Sequence, residues 1–108
     1  MIEVLTVPFT SAAEAWIWTM QALVARREGG RVDPGARPCE PDDVVKVLDR
    51  LYRNRRITLQ HARVLRVWGE RGLAPDDNHP GEARLWTEAT HALDWPLRVK
   101  GIVKGGSQ

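Results

Sequence analysis

Four stretches of the chain carry apolar side chains at helical spacing, and each is fenced by residues that start or stop a helix. The first spans 11–28. Ser11-Ala12-Ala13-Glu14 has the spacing of a capping box, in which the Ser oxygen and the Glu carboxylate satisfy backbone N–H groups with no partner of their own. Trp16, Ile17, Met20, Leu23 and Val24 then form the expected core stripe. Arg26 and Arg27 suit the negative end of the helix dipole, and Gly29-Gly30 ends it.

Residues 29–40, rich in Gly and Pro, read as a loop. A second helix is expected over 41–54, with Pro41 at its first position and Asp42 and Asp43 at its positive end. Val44, Val45, Leu48, Leu51 and Tyr52 are its expected buried stripe. Asp42/Lys46 and Asp49/Arg53 stand at pairing distance on its outer side. The third helix is expected over 58–71, opened by Thr58 and closed by Gly72. Ala62, Val64, Leu65, Val67 and Trp68 cover more than half of its circumference, which predicts that it is the central helix. The fourth is expected over 80–94, with Leu85, Trp86, Ala89, Ala92 and Leu93 inward, stopping before Trp95-Pro96.

The ends are less defined. Residues 1–9 read as an N-terminal arm or strand, 97–103 as a β-capable segment that would pair with 2–7, and 104–108 as a loose tail. The expected fold is mainly α: a single domain of four helices over 1–108, with short terminal strands as an optional addition.

A chain of 108 residues buries roughly two-thirds of its unfolded surface, so it needs no disulfide or structural metal to make a core. Cys39 is the only cysteine and cannot form an internal disulfide. No apolar run approaches the ~20 residues of a membrane span, and Met1 to Phe9 lack the basic lead-in of a signal peptide. A cytoplasmic chain is the expectation.

Chemistry of catalysis is sparse. Cys39, His61, His79 and His91 are widely spread, without C-x-x-C, H-x-x-x-H or HExxH spacing, so no metal and no cofactor is expected. Acidic Glu40, Asp42 and Asp43 around Cys39 disfavour a thiolate. Gly29-Gly30 follows a helix instead of leading into one, which removes a phosphate-cradling loop. Asp42-Asp43 and Asp76-Asp77 read as cap and turn residues. The expectation is therefore no enzyme and no small-molecule substrate.

Charge placement is more informative. The net charge is only +2, yet thirteen arginines stand beside three lysines. GC-rich codons explain an arginine excess but not where the arginines fall. Residues 44–72 hold eight basic and two acidic side chains, whereas 1–43 and 73–97 are both net acidic. The basic centre coincides with the second helix, a short turn and the third helix, an order like that of a helix-turn-helix unit. Arg50, Arg53, Arg55 and Arg56 gather at the corner, and Gln60, Arg63 and Arg66 project from the third helix. Arginines so placed suit phosphates, and Gln60 and Arg63 near a helix start suit base edges. DNA is thus the first expected partner, with transcription-linked regulation the expected role. The turn, Arg-Arg-Ile-Thr, lacks the glycine usual in that unit.

The alternative expectation is a protein-interaction module or homodimeric adaptor. Trp18 lies opposite the first core stripe beside Ala22 and Ala25, an aromatic anchor over a shallow groove of the kind that sits at interface centres.

Overall fold

A computed structural model describes residues 7–29 and 37–105. Four helices surround one core: α1 (Ala12–Arg27), α2 (Pro41–Arg53), α3 (Leu59–Arg71) and α4 (Pro80–Val99). The first three match the expected boundaries to within a residue, because their caps are local and chemical. Ser11 Oγ accepts from the Glu14 N–H at 3.1 Å, and the returning Glu14 carboxylate accepts from the Thr10 N–H at 2.9 Å, one residue before the expected donor. Gly72 closes α3 in the left-handed region at φ +82°, its N–H donating to the carbonyls of Trp68 and Gly69.

The most extensive helix–helix contact is between α3, expected at the centre, and α1. The apolar residues of α1 run round most of its circumference. Ala12, Ala15, Thr19 and Ala22 are buried beside Trp16 and Met20, while Ile17, Leu23 and Val24 of the expected stripe are half-buried. Small side chains let neighbouring helices approach, so alanines and a threonine mark the buried face as clearly as the large residues do. Thr19 is buried because its hydroxyl donates to the Ala15 carbonyl at 2.8 Å, which removes the cost of an unpaired polar group.

The α1–α3 seam is the tightest joint. The Trp16 indole N–H donates to the Leu65 carbonyl at 2.7 Å inside the core. Gly69 makes room for this: a Cβ there would sit 2.6 Å from Met20 Cγ and 2.9 Å from Trp16 Nε1. Gln21 completes the seam by donating to the carbonyls of Gly69 and Glu70 near the end of α3.

Two expectations about α2 and α4 are corrected. In α2 the buried residues are Pro41, Val44 and Val47, while Val45, Leu48 and Leu51 are half-buried and Tyr52 is 45% exposed. Helix α4 does not stop at residue 94 but continues through Pro96 to Val99. A proline inside a helix costs about 3 kcal/mol. Continuation completes the Trp86, Ala89, Leu93 stripe with a fully buried Leu97, and burial of one leucine recovers about 1.5–3 kcal/mol. The Leu97 carbonyl also accepts from the N–H groups of Ile102 and Val103, which carries two more residues into the core. Arg98 braces the last turn by donating to Asp94 at 2.7 Å and to the Lys104 carbonyl at 2.7 Å.

The expected strand over 97–103 is therefore helix for its first three residues. Among the described residues the β-structure is one isolated parallel bridge between Phe9 and Val103. The Phe9 N–H donates to the Ile102 carbonyl and the Lys104 N–H to the Phe9 carbonyl. Expected pairing by residues 2–7 falls mostly outside the described residues, as does the end of the tail.

Candidate nucleic-acid interface

The corner between α2 and α3 is fixed by its backbone. The Arg55 N–H donates to the Tyr52 carbonyl at 3.1 Å and the Arg56 N–H to the Leu51 carbonyl at 2.9 Å. These two crossed bonds form a Schellman closure, in which the left-handed position belongs by preference to glycine. Here Arg55 occupies it, at φ 60°. Buried Ile57 pins the turn to the core, and Thr58 starts α3. Arg55 and Arg56 are thus exposed side chains on an ordered turn.

The arginines of the basic centre divide into groups. Arg50 and Arg56 line one cleft with the C-terminal half of α4. Gln60 and Arg63 line another, with Val64, Val67, Glu82 and Leu85, beside the N-terminal half of α4. Arg66 is exposed on the outer face of α3, and Arg53 is tied to Asp49. Among the described residues Arg50, Arg55, Arg56, Arg63 and Arg66 have no carboxylate partner. Asp42, expected beside Lys46, instead pairs with Arg26 of α1 at 3.5 Å. The helices α2 and α3 touch only slightly, each being held mainly by α1 and α4.

Leu59, 54% exposed, lies on the outward face of α3 as expected, and that face is wider than the sequence implies because Val67 is 36% exposed and Ala62 only half-buried. Its start is locked by a histidine in the place a capping box gives to Glu or Gln. The Thr58 N–H donates to His61 Nδ1 at 3.0 Å, which leaves the proton on Nε2 to reach Glu88 Oε1 at 2.9 Å. That bond, followed by the Arg84 side chain, holds the Glu88 carboxyl below its ordinary pKa. A depressed carboxyl adds stability above its unfolded pKa of about 4.3, lost as pH falls through the lower folded value. Thermal melts are therefore expected to fall more steeply on acidification for the wild type than for Glu88→Gln. Equal slopes would show that the His61–Glu88 link adds nothing.

The cleft of Arg50 and Arg56 holds residues outside the expected basic corner, among them Trp95, which the sequence offers only as a second aromatic handle for a protein partner. The cleft has a volume of about 370 Å³ and is bordered also by Asn54, His91, Trp95 and Lys100. A second cleft of about 360 Å³ adjoins it, sharing Val47, Arg50 and Lys100 and adding Lys46 and Asp43. Trp95 is 72% exposed, the most exposed of the large apolar side chains in the described residues. Ending the fourth helix at residue 94 hid its position. Once α4 runs through Pro96, Glu88, His91, Trp95 and Val99 share one outer stripe.

On α1, Trp18 is half-buried with its ring 5.2 Å from that of Phe9, Ala22 is buried and Ala25 half-buried. The chain thus covers much of that face itself. Burial, with Asp43 and Glu40 nearby, pushes the Cys39 thiol up to about 11, against a smaller opposing effect of Arg37. Such a thiol is a poor nucleophile at neutral pH. The described residues contain no group of three metal-ligating side chains and no helix long and apolar enough to cross a membrane.

No family model, curated protein or solved structure matches the chain.

Proposed function

We propose that this protein binds nucleic acid through the basic corner of α2, the Asn54–Thr58 turn and α3, as a small DNA-binding or transcription-linked regulator. The observation that carries the reading is the set of five exposed arginines without a carboxylate partner among the described residues, while neighbouring Asp49, Glu70 and Glu88 are already paired. Like charges carried on two neighbouring helices and their turn repel one another, and a polyanion relieves that repulsion by exchanging its counterions for guanidinium groups. The slight contact between α2 and α3 favours phosphate contacts over insertion of a recognition helix.

The conformation of Arg55 gives a second line of support. A side chain in the left-handed region costs roughly 1 kcal/mol relative to glycine, yet an arginine stands there. Arg55→Gly is expected to raise unfolding stability by about 1 kcal/mol and to lower the salt dependence of binding by about one phosphate contact. Denaturant melts and anisotropy titrations of a labelled duplex measure the two effects. Failure of the wild type to bind duplex or single strand at about 50 mM salt would remove the reading.

A protein-interaction role has its own observation. Tyr52 and Leu59, both exposed, rim an apolar cleft of about 280 Å³ with Val45, Leu48 and Ala62. Light scattering tests the homodimer version, which a concentration-independent monomer would exclude.

A further inference from the structure

We infer that the cleft between α2 and the C-terminal half of α4 seats a single-stranded nucleic acid, with Trp95 stacking on an unpaired base and Arg50, Arg56 and Lys100 meeting the flanking phosphates. This rests on the nucleic-acid reading above and names its ligand class.

Three features of the cleft meet the requirements of a strand. A backbone needs several cations in succession, and Arg50, Arg56 and Lys100 border one cleft while Arg50 and Lys100 extend into the next, beside Lys46. None of these four has a carboxylate partner among the described residues. The one acid at the edge among the described residues, Asp43, has an oxygen turned back to the Glu40 N–H at 2.9 Å and is outnumbered by the four cations.

An unpaired base needs a flat apolar surface, and Trp95 supplies one at 72% exposure. An indole left so open gives up burial that tryptophan ordinarily obtains. It is also preorganised: Trp95 is carried within α4, anchored on either side by fully buried Leu93 and Leu97. The cleft beneath, of about 370 Å³, has room for a base with its sugar.

Stacking on Trp95 separates single strands from duplexes. Paired bases in a duplex are stacked on their neighbours and offer the indole no free face, whereas every base of a single strand has one. An acidic peptide would satisfy the cations but leave the ring uncovered.

The test titrates labelled oligodeoxyuridine, oligouridine and a DNA duplex with wild type and Trp95→Ala, at about 50 mM salt. The expected result is binding of one or both single strands about tenfold tighter than the duplex, with quenching of indole fluorescence. The tighter of the two strands assigns the sugar. Trp95→Ala is expected to lose about tenfold in single-strand affinity and most of the quenching, with an unchanged circular dichroism melt. Arg50→Ala with Arg56→Ala is expected to flatten the salt dependence by about two phosphate contacts.

Duplex binding with no single-strand preference, and with Trp95→Ala equal to wild type, overturns the inference and leaves the nucleic-acid reading standing. Binding of neither form overturns both. A change of oligomeric state in Trp95→Ala with unchanged strand binding would assign the indole to a second copy of the chain, which also overturns it.

Discussion

Replacing Arg50, Arg55 and Arg56 together by alanine is expected to weaken nucleic-acid binding by about a hundredfold or more at low salt. The three side chains are exposed and have no carboxylate partner among the described residues, so they are available to phosphates without breaking an internal ion pair. Arg53 stays in place because its guanidinium already holds Asp49. The fold is expected to survive. Alanine keeps a Cβ at position 55, so the left-handed strain there is unchanged, and positions 50 and 56 bury little. Circular dichroism should therefore show native helicity beside the lost affinity. Native-like binding by the triple variant would move the site away from this corner.

The largest expected effect on stability belongs to Trp16. Trp16→Ala is expected to cost about 3–5 kcal/mol, because it removes a side chain left only 2% exposed and empties the middle of the α1–α3 seam. That is a large part of the total stability of a small domain, about 5–15 kcal/mol, and corresponds to a fall of roughly 15 °C or more in Tm. Trp16→Phe separates the contributions. It keeps most of the ring but gives up the N–H that reaches the Leu65 carbonyl at 2.7 Å, so a loss of about 1–3 kcal/mol is expected. The Leu65 carbonyl lies in the body of α3, where it keeps a helical donor, so it is not orphaned by the change. A Trp16→Ala melt within a degree or two of wild type would show that the seam is not the joint on which the bundle depends.

Much of this fold is legible in the sequence, for a physical reason. Ser11, Pro41, Thr58 and Gly72 act on backbone groups within a few residues of themselves, so the starts of α1, α2 and α3 and the end of α3 follow from local chemistry. Pro96 misleads for the opposite reason. Its local tendency to end a helix is overridden by Leu97, whose burial depends on elements far away in the chain. The buried face of α1 is similarly hidden, since alanine and threonine carry little hydrophobic weight although they permit close approach. Arg55 in a glycine position and Gly69 under Trp16 are also settled by geometry that spacing does not reveal.

The candidate site follows the same division. The clustering of arginines at 50–66 is a property of the sequence, and the exposure of Arg50, Arg55, Arg56, Arg63 and Arg66 accords with it. Their separation into two clefts is tertiary. So is the arrival of Lys100 and Trp95 beside Arg50, which depends on α4 continuing past its proline. Asp42 shows how pairing is decided at long range: Lys46 lies one helical turn away, but Arg26 of the neighbouring helix takes the carboxylate.

The most direct measurement is the salt dependence of nucleic-acid affinity for the wild type, by anisotropy between about 50 and 200 mM salt. With four phosphate contacts on a duplex, affinity is expected to fall by about two orders of magnitude over that range, and somewhat less on a single strand. A slope near zero, or no binding at the low-salt end, would contradict the assignment of the arginine corner to nucleic acid.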